Sequence, residues 1–218
     1  MRKIIVNTFI SLDGVMQAPG GPEEDSSGGF ELGGWVASYF DEGVGQFMGN
    51  VFAAPFELLL GHRTHNIFAA HWPKVAADPP PEGVDESEIQ LAKKIDGTTR
   101  YVASRTKPEF TWEGSEWLGD DPISRLRAIK ASNGPDLLVP GSADFIQTLL
   151  KADLIDQFKL LIFPLVLGNG KRLFGSGVLP TAFHVQQAMT TDSGVICVTY
   201  IRGGSITTGD FSLQRDIS

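Results

Sequence analysis

The chain has 218 residues, a hydrophobic share of 42% and a formal net charge of −8. That hydrophobic share is enough for a full core without disulfide staples, and we expect a single domain over residues 1–218. The acidic balance argues against nucleic acid and anionic membranes as partners, and no apolar run reaches the length that crosses a bilayer.

The first half of the chain is predicted to alternate short strands with helices. Residues 3–9 form a predicted strand, and the apolar run at the start is too short for a signal peptide, which favours a cytoplasmic protein. A loop rich in glycine, proline and acid is predicted over residues 18–34, of the kind that covers binding sites. Helices are predicted over residues 35–52, 63–70 and 89–95, strands over 57–60 and 101–103, and an extended segment over 73–83.

The second half of the chain is predicted to end in strands without long helices between them. A helix over residues 122–131 and a strand over 137–139 lead to Gly141 and to Ser142, which we expect to cap the next helix through its side chain. Strands are then predicted over residues 157–166, 182–187 and 195–201, and a short strand or tail over 203–218.

This order predicts an α/β fold with a mostly parallel central sheet, helices on both faces and antiparallel C-terminal edge strands. The lone cysteine, Cys197, lies in an alternating strand pattern and is expected to be a buried thiol.

Polar or glycine residues follow three of the predicted strands. Ligands bind beyond the carboxyl ends of such strands, where helix N-termini, hydroxyls and guanidinium groups favour several phosphates. Two arginines also suit the 2′-phosphate that distinguishes NADPH from NADH, and the alternative, which is weaker, is that both are exposed surface arginines. The residues are Gly61, Arg63 and Thr64, then Ser104, Arg105 and Thr106, then Gly141 and Ser142.

At these positions the chain resembles the dihydrofolate reductase-like superfamily, in particular the reductase domain of riboflavin-biosynthesis deaminase/reductases and its stand-alone relatives. The resemblance covers most of the chain, and its most specific part is the segment PLVLGNGKRLF at residues 164–174. The other matching motifs are SLDG at residues 11–14, LLGHRT at 59–64 before Trp72-Pro73, and Gly141-Ser142.

The resemblance implies an enzyme that binds NADPH along the strand ends and transfers a hydride to a pteridine- or pyrimidine-like small molecule. It implies that Arg63 and Thr64 contact the pyrophosphate or 2′-phosphate, with Ser104 and Arg105 near the adenosine. Beneath the pyrophosphate it implies Gly141, Ser142, Ala143 and Asp144. Related stand-alone reductases are often dimers, and the apolar face of Phe158, Leu160 and Ile162 is either a subunit interface or a core strand.

Candidate catalytic and substrate residues are less clearly marked. Asp41 matches in approximate position the acid that folate reductases use to protonate the substrate, but it also suits the first turn of a helix. Asp13 faces the substrate or nicotinamide, or bonds its own turn, and Trp35 lines the substrate side or belongs to the core.

Two further features complete the sequence-based expectations. Lys171 and Arg172 either hold a substrate phosphate or are exposed turn cations. The spacing of His62, His65 and His71 matches no usual zinc site, so no metal is expected. The alternative to a reductase is a non-catalytic NADPH-binding module or redox sensor that lacks the acid.

Overall fold

The computed structural model describes residues 1–210, which form one eight-stranded sheet with five α-helices. Within this range no helix is long and apolar enough to cross a membrane. The strands are β1 (Ile4–Ser11), β2 (Phe56–Gly61), β3 (Arg100–Ala103), β4 (Ser115–Trp117), β5 (Asp136–Pro140), β6 (Gln157–Phe163), β7 (Ala182–Thr190) and β8 (Ile196–Gly204). The helices are α1 (Glu42–Val51), α2 (His62–Val75), α3 (Glu86–Asp96), α4 (Pro122–Ala131) and α5 (Ala143–Lys151).

The strands lie in the order β4-β3-β2-β5-β1-β6-β8-β7. All pairs from β4 to β6 are parallel. Helices in the connections from β1 to β2, β2 to β3, β4 to β5 and β5 to β6 return the chain in the same direction, whereas β3 continues into β4 through a loop without a helix. The last two strands have no helix between them, and both β6–β8 and β7–β8 are antiparallel. The predicted fold class is therefore confirmed.

The helices bury apolar side chains on both faces of the sheet. Leu126 of α4 and Ile146 of α5 join one core cluster with Val6 and Val139 of the sheet. Phe47 of α1 joins the other cluster, on the opposite face. The alternation of side chains along each strand supplies both clusters from the same strands.

The first predicted helix begins seven residues later than expected. A short 3-10 turn at Ala37–Tyr39 ends at Phe40, which is extended, and the side chain of Asp41 then caps α1. Capping by Asp41 fixes the start of the helix at Glu42, whereas the apolar pattern of residues 35–40 belongs to the packed loop.

Several other elements also differ from the prediction. Helix α2 continues through Pro73 to the buried Val75, so residues 73–75 are helical rather than extended. Strand β6 stops at Phe163, before Pro164, because proline cannot donate to the sheet ladder. Strand β4 was not predicted, since three residues at a sheet edge give too short a pattern. Of the predicted strand or tail at residues 203–218, the part over 211–218 lies outside the described residues.

The apolar face of β6 lies in the core of the chain. Phe158 and Leu160 are buried between sheet and helices, and Phe158 packs edge-to-face against Phe174 and Phe183. This burial agrees with the core-strand alternative, and the subunit-interface alternative stays a prediction. Cys197 is also fully buried, and burial raises the pKa of its thiol to about 11.

We expect Phe158→Ala to lower the free energy of unfolding by about 3–5 kcal/mol, because it leaves a cavity beside the rings of Phe174 and Phe183. Val185 on β7 is 58% exposed and serves as the control, since Val185→Ala should change stability by less than about 0.5 kcal/mol. Urea unfolding of both variants measures the difference. Equal stability of the two variants would contradict the packing described.

Candidate functional site

The three predicted turns leave adjacent parallel strands at the same edge of the sheet. Gly61 at the end of β2 pairs in register with Ala103 of β3, and β2 pairs on its other side with β5. We call this edge the carboxyl rim, defined by residues 61–64, 104–106 and 141–144. Groups that are far apart in sequence therefore meet along one line.

Two helices start at the carboxyl rim without a side-chain cap. Asp41, Asp85 and Asp121 accept hydrogen bonds at the starts of α1, α3 and α4, whereas α2 and α5 have no such bond. Helices α2 and α5 therefore retain backbone N–H groups that no capping side chain takes. Uncapped N-termini with their partial positive charge are suited to bind phosphate.

Ser142 holds the two helix starts together instead of capping α5. Its hydroxyl oxygen accepts a hydrogen bond from the Gly61 N–H at 2.8 Å and donates to the Thr64 hydroxyl oxygen at 2.8 Å. The residue is left-handed, with φ 70°, which turns the side chain away from its own helix. Ser142 therefore occupies the predicted N-cap position, but the expected hydrogen bond from its side chain to its own helix is not formed.

The glycines of the carboxyl rim allow this close approach. A Cβ atom on Gly61 would lie 3.2 Å from the Cβ and hydroxyl oxygen of Ser142. Gly141 has φ +87°, which side chains rarely adopt, and nothing lies within 4 Å of its missing Cβ. The backbone at Gly141 is thus open to an approaching ligand.

The two arginines of the carboxyl rim differ in their partners. Arg63 is 56% exposed, forms an ion pair with Asp25 at 2.8 Å and donates to the carbonyl oxygen of Glu24. Arg105 and its neighbour Thr106 are both exposed, and neither side chain has a hydrogen-bond or ion-pair partner among residues 1–210. The carbonyl oxygen of Ser104 accepts a hydrogen bond from the indole of Trp117. Arg105 is therefore the freer of the two arginines.

A loop over residues 18–34 is fastened to this rim through Asp25. The second carboxylate oxygen of Asp25 lies 2.9 Å from the ammonium nitrogen of Lys171, which is 4.0 Å from Asp144 at the start of α5. Gln17 donates to the carbonyl oxygen of Asp25 and accepts from the Lys171 N–H. Sequence reasoning missed Asp25 and Gln17, because no local pattern joins residues 146 positions apart.

Asp25 is held in its charged form. Burial acts to raise its pKa, but hydrogen bonds from Ser27 and the charge of Lys171 outweigh it and lower the pKa to about 2. The region therefore already contains one permanent anion close to two cations.

Asp13 secures the segment after β6. Its carboxylate accepts bonds from the Ser11 hydroxyl and from the N–H groups of Leu167 and Gly168, and it pairs with Arg172 at 3.2 Å. The Ser11 bond is the largest cause that lowers the pKa of Asp13 to about 2, with the backbone bonds adding to it. The catalytic and substrate-binding roles of Asp13 stay predictions, and these contacts argue for the turn-bonding alternative.

Asp41 is occupied by two backbone N–H groups. It accepts from Val44 inside α1 and from Ser193 in the turn between β7 and β8, both at 2.8 Å. These bonds hold the pKa of Asp41 well below its usual range, so it carries no proton to donate at neutral pH. Its catalytic role stays a prediction that the contacts argue against.

Trp35 lies in the core rather than at the rim. Its indole donates to the carbonyl oxygen of Gln17, and its ring meets Phe163 edge-to-face at 5.3 Å. The substrate role of Trp35 stays a prediction, and its burial agrees with the core alternative.

Two cavities lie at opposite ends of the sheet. A cavity of about 190 Å³ lies beneath the loop over residues 18–34, lined by Gln17, Ser27 and Lys171 among others. A cavity of about 200 Å³ lies away from the carboxyl rim and is lined by Ile155, two residues before β6, and by Phe183 and Arg202. The first cavity is therefore the one that adjoins the candidate site. Within residues 1–210 no group of three or more His, Cys, Asp or Glu side chains is arranged to hold a metal ion.

The strand order and the two uncapped helices at one rim describe an α/β fold with an open site at the carboxyl edge of its sheet. The family model of the RibD C-terminal domain matches residues 2–197, and the chain belongs to that family. The expected resemblance is confirmed.

Two proteins of Bacillus subtilis (strain 168) are similar in sequence. The uncharacterized protein YyaP is 26% identical over 199 residues, which cover 91% of this chain and 94% of YyaP. The uncharacterized protein YwjB is 26% identical over 76 residues, which cover 35% of this chain and 44% of YwjB.

Three solved structures share the fold, each covering 92% of this chain. A putative riboflavin biosynthesis protein from Shewanella sp. PV-4 has a TM-score of 0.58 at 22% identity and is covered over 99% of its length. A pyrimidine reductase-like protein from Corynebacterium diphtheriae has a TM-score of 0.56 at 12% identity and is covered over 92% of its length. Dihydrofolate reductase from Enterococcus faecalis, complexed with NADP(H), has a TM-score of 0.56 at 13% identity and is covered over 96% of its length. At these identities the likeness shows the fold alone.

We expect Asp13→Asn to destabilise the protein at pH 7, because the charged form of Asp13 accepts four hydrogen bonds. A lowered folded-state pKa adds stability above the unfolded value of 3.8, and this stability is lost as pH falls towards about 2. The difference in the free energy of unfolding between wild type and Asp13→Asn should therefore become smaller from pH 4 to pH 2. Urea unfolding across this range measures it, with the exposed Asp120→Asn as the control. A gap that is constant with pH would contradict the assignment.

Proposed function

We propose that this protein is an NADPH-dependent reductase that transfers a hydride to a pteridine- or pyrimidine-like small molecule. The reaction acts on a C–N or C=N bond. The two activities that fit are 5-amino-6-(5-phosphoribosylamino)uracil reductase and a dihydrofolate reductase-like activity. Membership of the RibD C-terminal domain family and the fold shared with dihydrofolate reductase support a reductase.

The observation that carries the proposal is the pair of uncapped helices at adjacent strand ends. The Gly61 N–H, Ser142 hydroxyl and Thr64 hydroxyl fix α2 and α5 side by side, so two sets of N–H groups open on one edge. A pyrophosphate has oxygens for both sets. The donor set therefore fits a dinucleotide better than a single phosphate.

The cations of the carboxyl rim suit the rest of this cofactor. Arg105 is exposed beside Ser104 at the end of β3, and Arg63 is exposed at the start of α2. Guanidinium groups bind phosphate with two parallel hydrogen bonds, which suits the 2′-phosphate of NADPH. When bound, NADPH supplies the hydride. The chain contributes binding and orientation that bring the nicotinamide next to the substrate.

We further propose a cytoplasmic location, where the reduced thiol of Cys197 and a supply of NADPH fit together. Association into a homodimer remains a prediction without an assigned face, since the β6 face is internal.

Titration of the purified protein with NADPH and NADH tests the cofactor assignment. We expect NADPH to raise the melting temperature more than NADH, and Arg105→Gln to weaken NADPH binding roughly tenfold while sparing NADH. Lys94→Gln on α3 removes the same charge far from the carboxyl rim and is the control. No response to either nucleotide at millimolar concentration would overturn the proposal. An unchanged preference in Arg105→Gln would overturn the 2′-phosphate role.

A non-catalytic NADPH-binding module or redox sensor is the second candidate. It is favoured by Asp13 and Asp41, whose carboxylates accept backbone hydrogen bonds and have lowered pKa values. A reductase must then draw its proton from water or from the substrate itself.

Oxidation of NADPH at 340 nm, followed with a panel of pterins, dihydrofolate and ribosylaminopyrimidines, separates the two candidates. We expect turnover with at least one ring, and Asp41→Asn should retain it because Asp41 is a helix cap. Binding of NADPH without oxidation on any ring would favour the sensor. Loss of turnover in a folded Asp41→Asn variant would restore Asp41 as the acid.

A further inference from the structure

We propose that Asp25 is an internal anion that competes with the cofactor's phosphates for Arg63 and Lys171. The loop over residues 18–34 would then select ligands by their charge. This inference rests on the proposed function, since it concerns the phosphate-binding part of that site.

The first step is the placement of the Asp25 carboxylate between two cations. One oxygen lies 2.8 Å from a terminal nitrogen of Arg63, and the other lies 2.9 Å from the ammonium nitrogen of Lys171. The side chain of Asp25 is only 14% exposed. This location therefore already accommodates an oxyanion with two oxygens in separate ion pairs, which is the arrangement that a phosphate group requires.

The second step is the position of these two cations relative to the uncapped helices. Arg63 belongs to the first turn of α2, and Lys171 lies 4.0 Å from Asp144 in the first turn of α5. A phosphate at either helix start would therefore meet Arg63 or Lys171, which share the single negative charge of Asp25. It would also meet the negative charge of Asp25 itself.

The third step is the way in which the loop is held. Arg63 donates to the carbonyl oxygen of Glu24, and Gln17 joins the loop to Lys171. These contacts connect the loop to α2 and to residue 171 chiefly through Asp25 and its neighbours. A cavity of about 190 Å³ lies under the loop beside Lys171, a volume equal to about six waters. Space for a ligand group is thus present where the ion pairs would open.

Selection by charge follows from the difference between a carboxylate and a phosphate. A phosphate ester carries up to two charges and three acceptor oxygens, so it can replace Asp25 at Arg63 or Lys171. An uncharged nucleoside cannot. Asp25 would therefore lower the binding affinity of every ligand that needs Arg63 or Lys171. Ligands without a phosphate could not replace Asp25 there and would not bind.

Asp25→Asn tests the proposal by calorimetric titration with NADPH and, separately, with inorganic pyrophosphate at low salt. Asparagine keeps a carbonyl oxygen for the Ser27 hydrogen bonds but removes the charge. We expect both ligands to bind roughly fivefold more tightly, the size of change that a partly buried ion pair allows. Hydrogen exchange of residues 18–34 should also become faster in the free variant.

Glu23→Gln is the matched control, because it removes the same charge from the same loop at an exposed side chain with no partner among residues 1–210. We expect its affinity to stay within about twofold of wild type, as expected for an isolated surface charge. Asp25→Glu retains the charge and should bind like wild type, which separates charge from a general loosening of the loop.

The sign of the change decides the outcome. If Asp25→Asn binds NADPH as tightly as wild type or more weakly, competition between Asp25 and the phosphates is refuted. Asp25 would then orient Arg63 and Lys171 for the ligand, and the proposed function would stand. If wild type and all variants fail to bind either ligand, the proposed function fails and this inference fails with it.

Discussion

The site depends on one serine hydroxyl that joins two helix starts. Ser142 is left-handed, so its side chain reaches the Gly61 N–H and the Thr64 hydroxyl rather than the free N–H groups of its own helix. Adjacent parallel strands bring Gly61 and Ser142 together, and the missing side chain at Gly61 allows the contact. The same hydroxyl thereby leaves the start of α5 uncapped. The two hydrogen bonds of Ser142 thus hold the carboxyl rim together and also leave the backbone N–H groups at the start of α5 available to a ligand.

The fold and the location of the carboxyl rim could be predicted from the sequence. The hydrogen bonds and ion pairs of individual side chains could not. Apolar runs and glycine turns are local, and they predicted helix α4 with the bounds that the structure gives. The hydrogen bonds of Ser142 to Gly61 and Thr64 depend on its left-handed backbone conformation. No sequence pattern predicts that conformation for a serine. The pairing of Asp25 with Lys171 depends on the return of the chain 146 residues later. Both therefore required coordinates.

Three aspartates near the site share one electrostatic condition. Asp13, Asp25 and Asp41 each accept hydrogen bonds from N–H or hydroxyl groups, and each has a lowered pKa. They organise loops and a helix start, and at neutral pH they contribute fixed negative charge. Arg63 forms an ion pair with Asp25, and Arg172 forms one with Asp13, so part of this negative charge is neutralised. Any chemistry here would rely on position and charge more than on a titrating side chain.

The burial of Cys197 has a practical consequence for studies of motion. It is the single cysteine in the sequence, fully enclosed, with a thiol whose pKa is raised to about 11. Maleimide and methanethiosulfonate reagents are electrophiles that react with an accessible thiolate, so the native chain offers them no reactive position among the described residues while it is folded. A cysteine introduced on the surface would accept a fluorophore or spin label alone. Distances between helices and loops can then be followed spectroscopically without first removing a native thiol.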